Sequence, residues 1–60
     1  MYENVEYQIK ENWAGWKTVN SASQVDSDQE ISYGLDSLEK SFPDHRIRAW
    51  SRDDGIIDIR

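Results

Sequence analysis

Cysteine is absent from the 60 residues, which hold only one proline, three glycines, one histidine and one phenylalanine. Without cysteine, neither a disulfide framework nor a thiolate metal site can add stability, and redox chemistry says nothing about the compartment. A chain this short buries only roughly 60% of the surface its unfolded form exposes, so a single small domain spanning residues 1–60 is expected. Its stability has to come from packing. No apolar run approaches the ~20 residues that cross a bilayer. The opening MYENVEYQ has neither the basic nor the apolar region of a signal peptide. The expectation is a soluble, cytoplasmic protein.

The same scarcities bear on catalysis. A single His45, next to Asp44 and with Ser41 or Ser51 as the available hydroxyls, is all that could form a nucleophile and base pair. Nothing has the G-x-S-x-G form that strains a serine into an exposed elbow. A non-enzymatic protein is expected. The run Asp26-Ser27-Asp28-Gln29-Glu30 alternates carboxylates as the start of a calcium loop does. That loop needs a glycine at its sixth position and an acid at its twelfth, where Ile31 and Ser37 stand. The three glycines stand alone at 15, 34 and 55, so no phosphate-cradling loop is present. No cofactor and no metal site is expected.

What the chain has in quantity is acid, with a net charge of −5 that is unevenly spread. Residues 21–44 carry six acids against Lys40, whereas residues 45–60 carry four arginines against three aspartates. The negative field belongs to the middle, where it repels phosphate backbones and attracts basic surfaces.

Val5, Tyr7 and Ile9 alternate with Glu6, Gln8 and Lys10, the pattern of a strand with one buried face. After a turn around Ala14-Gly15, Trp16-Lys17-Thr18-Val19 suits a second strand, paired with the first as a hairpin. The period then changes. Ile31, Leu35, Leu38 and Phe42 form one helical stripe, opened by a capping box of Ser27 and Glu30 and stopped by Pro43 and Asp44. Acids at 26, 28 and 30 suit the positive end of the helix dipole. Ile47 and Ala49 alternate with Arg46, Arg48 and Trp50, and Asp54-Gly55 marks a hairpin into a last strand through Ile56-Ile57-Asp58-Ile59.

The reading is therefore an α+β fold, β-β-α-β-β. It is a two-layer sandwich in which a four-stranded antiparallel sheet has one helix packed on one face. Strand order 2-1-3-4 keeps every neighbour antiparallel, with 1-2-4-3 as the alternative. Gly34, on the flank of the helical stripe, suits a close approach of helix and sheet. The other sheet face has no covering element in this chain.

Loop parity decides what that face carries. A first-hairpin loop of two or four residues puts Trp16 under the helix, and a two-residue loop could pair Trp13 with Trp16 across the strands. A loop of three or five turns Trp16 outward and buries Val19 beside Ile9. The odd loop is preferred, for that burial and because Lys17 is expected to stay out from beneath the sheet. Inward-pointing Ile47 and Ala49 send Arg46, Arg48 and Trp50 outward. Ile56, Asp58 and Arg60 join them if Ile57 and Ile59 point in. Tryptophan and arginine are the residues enriched at binding hot spots. A plainer reading has the arginines lying over Trp50 or pairing with Glu6 and Asp58 as a solvated face.

The helix offers a second surface, where Tyr33 stands opposite the apolar stripe beside Gln29, Asp36 and Lys40. Together these features point to a small protein-interaction module, a regulator or inhibitor. It would bind a partner protein through the open sheet face (Trp16, Arg46, Arg48, Trp50), the acidic helix (Tyr33, Asp28, Asp36), or both. One alternative is an acidic inhibitor of the kind mobile elements such as phages use, masking a basic nucleic-acid-binding surface. Another is a single-strand nucleic-acid binder that stacks bases on the Trp and Arg face, disfavoured by the charge and by the lack of an R-G-F-G-F-V-type run. A homodimer through an edge strand or the open face is a further possibility.

Overall fold

A computed structural model describes residues 1–60. The elements are β1 (Tyr2–Glu11), β2 (Gly15–Val25), α1 (Asp28–Ser41), β3 (Ile47–Ser51) and β4 (Gly55–Ile59). They form one sheet in the order β2-β1-β3-β4, with every neighbouring pair antiparallel. This is the α+β arrangement and the strand order read from the pattern. No helix is long and apolar enough to cross a membrane.

The helix lies across β1, β2 and β3. Its stripe of Ile31, Leu35 and Leu38 is buried against Val5, Tyr7 and Ile9 from β1 and Ile47 and Ala49 from β3. The Ser27 half of the expected capping box forms, while the reciprocal bond from Glu30 goes one residue earlier, to Asp26 rather than to the cap residue itself. The Glu30 N–H donates to Ser27 Oγ at 3.3 Å, and the Glu30 carboxylate accepts the Asp26 N–H at 3.3 Å. Phe42, the last residue of the expected stripe, is the C-cap. Its N–H donates to the Leu38 carbonyl, and its ring packs at the edge of the core.

Two differences follow from the pairing. Strand β2 does not end at Val19 but runs on to Val25, which is buried at 2% exposure. Ser21 to Gln24 carry no apolar alternation, so it is the register against β1 that extends them. Both hairpins also close by the same device. Three-residue loops, Asn12–Ala14 and Arg52–Asp54, each lead into a glycine of positive φ, Gly15 at 80° and Gly55 at 71°. A type I turn followed by a left-handed residue is the usual form of such a connection.

The first loop is therefore odd, Trp16 faces away from the helix, and Val19 packs on the core. Lys17 corrects the expectation, because it lies opposite Ile9 and so shares the helix side of the sheet. It avoids burial only by standing at the strand end, with Nζ 3.7 Å from the Glu11 carboxylate.

Each edge strand carries one bulge. Val19 is the extra residue between Thr18 (opposite Gln8) and Asn20 (opposite Tyr7), and Ile57 is the extra residue between Ile56 and Asp58. Both extra side chains pack against the core, where simple alternation would also put them, so what each bulge changes is the side taken by the residues after it, at the cost of one ladder position. The second bulge reverses the expected parity of β4. Ile56 stays on the open face, but Ile59 joins it opposite Arg48, while Asp58 lies opposite Ala49 on the helix side. Arg60 likewise reaches the helix, where its guanidinium pairs with Asp36 and lies 4.0 Å from Glu39.

Candidate functional site

The open face is built around the crossing of β2, β1 and β3. Gln8, Arg48 and Thr18 are in register there, as are Lys10 and Trp16. The Arg48 guanidinium crosses β1 and lies over the Trp16 ring, with Cζ 4.2 Å from the centroid, and Lys10 Nζ approaches the same ring at 5.8 Å. Two cations on one indole exploit the negative potential of its π face.

Beneath the guanidinium runs a chain of hydrogen bonds. Arg48 Nε donates to Gln8 Oε1 at 2.6 Å, and Gln8 Nε2 donates to Thr18 Oγ1 at 3.1 Å. The Thr18 hydroxyl donates to Glu6 Oε1 at 2.6 Å. Gln8 is only 8% exposed although it sits on the solvent side of the sheet, so Arg48 and Trp16 roof it over. The amide uses its carbonyl and one N–H in bonds that hold Arg48 in place.

Trp50 stands two residues along β3, half-buried, opposite Glu6 on one side and Ile56 on the other. Ile56 and Ile59 add exposed aliphatic surface, at 54% and 41%. Arg46 extends this face at one end, its carbonyl accepting the Lys10 N–H at 2.8 Å. Trp16, Arg46, Arg48 and Trp50 therefore share one side of the sheet. The arginines lie neither on Trp50 nor against Asp58: Arg48 takes Trp16 and Gln8, and Glu6 takes Thr18.

Tyr33, Asp28 and Asp36 lie in the opposite layer and do not join them. Tyr33 is 62% exposed, its hydroxyl accepting from Gln29 Nε2 at 2.8 Å. Asp28 Oδ1 accepts the Tyr2 hydroxyl at 2.5 Å, a bond that raises the Tyr2 pKa. Asp36 holds Arg60, whose pKa its hydrogen bond raises in turn. Both carboxylates are engaged within the fold.

Trp13, a cross-strand partner of Trp16 only in the two-residue-loop alternative, instead sits at the middle of the first hairpin loop and is 98% exposed. Once the loop has three residues, its central position has no strand to lie on. Lys10, Gln8 and Ile59 were missed as members of the face, because register and the second bulge place them.

The serines and His45 are accounted for otherwise. Ser51 is fully buried, with Oγ accepting the Asp54 N–H at 3.0 Å inside the second hairpin. His45 packs edge-on against Phe42 at 5.8 Å. No group of three or more His, Asp or Glu side chains is placed to hold a metal ion. Two open depressions of about 240 and 260 Å³ flank Asn4 and Glu6, lined mainly by polar side chains. Small-molecule sites are larger, mostly apolar and enclosed. No family model, curated protein or solved structure matches the chain.

Proposed function

We propose that this chain is a non-enzymatic protein-interaction module, a regulator or inhibitor that binds a partner protein through its open sheet face. The observation that carries the reading is the Arg48, Trp16 and Gln8 arrangement. An arginine hydrogen-bonded to Gln8 is laid over a tryptophan ring, beside half-buried Trp50 and exposed Ile56 and Ile59. Ordering such side chains in advance removes an entropy cost of binding, and Trp and Arg are the residues that most often dominate interface energy.

The acidic helix draws less support as a contact for a basic surface, because Asp28 and Asp36 already have partners. Base stacking draws less as well, because one face of Trp16 is occupied by Arg48.

The test is a comparison of immobilised wild-type chain with Trp50→Ala and Arg48→Ala in native lysate. The expected result is one stoichiometric protein retained by the wild type and lost from both variants. Two outcomes would sink the reading. One is an unchanged retained set; the other is a labelled single strand bound with steep salt dependence. An Asp28→Lys, Asp36→Lys variant that alone lost the partner would move the contact to the helix.

A further inference from the structure

Strand β2 is an edge of the sheet, and the groups along its outer side have no strand to pair with. Natural edges of this kind are blunted by charge, proline or brevity. The opposite edge, β4, is blunted: it is five residues long, bulged at Ile57 and carries Asp58. Strand β2 has eleven residues, and from Thr18 to Val25 eight consecutive positions hold no charge and no proline, in a chain that is 32% charged. Its bulge lies near the start, and beyond it Asn20, Ser21 and Ala22 pair with β1 at the same offset as Gln24 and Val25, with Ser23 left unpaired opposite left-handed Asn4.

The same segment reads alike in both directions. From Ala22 outward, Ser21 mirrors Ser23, Asn20 mirrors Gln24 and Val19 mirrors Val25. An antiparallel pair of identical strands about a two-fold axis requires this kind of self-complementarity, because residue i meets residue j while j meets i. We propose that two copies of the chain pair through β2, antiparallel, with the two-fold axis at Ala22, to give one continuous eight-stranded sheet.

In that register Ala22 faces Ala22 of the second copy and Ser21 faces Ser23, so the contact centres on three small residues. The Ser21 N–H now donates to the Asn20 side-chain carbonyl at 2.9 Å, a local bond that a carbonyl of the second copy would replace. Charge does not oppose pairing at this edge although each chain carries −5, since here no like charges are brought together. The inference stands apart from the reading of the open face, which would only become wider by it.

The test is sedimentation across a concentration series, with the 7.1 kDa chain expected to run at twice its mass and to dissociate on dilution. Two variants fix the register. Ser21→Lys with Ser23→Lys sets like charges opposite one another in both pairs and should weaken the dimer about tenfold. Ser21→Lys with Ser23→Glu sets opposite charges together and should restore it. Ala22→Cys, the only cysteine then present, should form an intermolecular disulfide on mild oxidation. Circular dichroism checks that each variant folds. A monomer at every concentration would overturn the pairing and leave the edge to a strand of another protein. Equal dissociation of the two charge variants would overturn the register.

Discussion

The Tyr7 ring lies directly beneath Gly34, so close that a Cβ added there would come 2.5 Å from Cε1 and 2.6 Å from Cζ. Tyr7 is 6% exposed and packed among Val5, Ile9 and the helix stripe, so the ring cannot swing aside without leaving the core. Glycine in a helix costs about 1 kcal/mol against alanine, whereas forcing a methyl into a filled site costs about 1–3 kcal/mol. Gly34→Ala should therefore destabilise by about 1 kcal/mol, read as a lower urea midpoint at unchanged slope. With Tyr7→Leu already in place, the same change should become stabilising. A Gly34→Ala variant more stable than wild type would show that the ring yields.

The hairpin glycines behave differently, because a Cβ at Gly15 or Gly55 would meet nothing within 4 Å. The cost of Gly15→Ala or Gly55→Ala is then purely that of a left-handed backbone, about 1–2 kcal/mol, and asparagine should recover part of it. Asn4, at φ 54°, already occupies such a conformation in this chain. Thermal unfolding of the Ala and Asn variants at each site checks the order. Equal losses for the two residues would place the cost elsewhere.

Much of this architecture was legible because the signals were local. Val5, Tyr7 and Ile9 alternate, Ile31, Leu35 and Leu38 repeat at helical spacing, and Ser27 with Glu30 announce the helix start; each is a short-range pattern with one physical meaning. The second half of β2 was not legible, because Ser21 to Gln24 become a strand only by hydrogen bonding to β1. The bulges at Val19 and Ile57 were hidden for a related reason. Val19 and Ile57 point inward by alternation alone, and whether the residues after them stay in step is decided by the partner strand. One such residue was enough to exchange Ile59 for Asp58 and Arg60 on the open face. The candidate site was thus readable in composition, as Trp and Arg, but its cross-strand wiring through Gln8 depended on register.

That wiring predicts that Arg48 cannot be replaced by lysine. Lysine keeps the charge but has neither a planar face for Trp16 nor an Nε–H for Gln8. Arg48→Lys should lose nearly as much stability as Arg48→Ala, about 1 kcal/mol, and a cycle with Trp16→Leu should show a coupling of about 0.5–1 kcal/mol. The measurement is urea unfolding followed by circular dichroism. A lysine variant indistinguishable from wild type would reduce the stacking to mere proximity.

Alkaline pH tests two hydroxyls at once. Burial pushes the Tyr7 pKa above its ordinary 10.0, with the Glu30 charge adding to it, and Tyr2 is raised by its bond to Asp28, then by desolvation and the charge of Asp28. Each group is thus held neutral by the fold, while the unfolded chain gives up the same protons at lower pH. Below pH 10 this contribution to stability is whole. It is lost as the pH climbs from 10 through the raised folded-state values, because there the unfolded state binds fewer protons than the native one. The urea midpoint should fall with pH in that window. Tyr7→Phe and Tyr2→Phe should each remove part of the slope, and the double variant should remove what the two together supply. A double variant whose midpoint fell as steeply as that of the wild type would assign the alkaline loss to other groups.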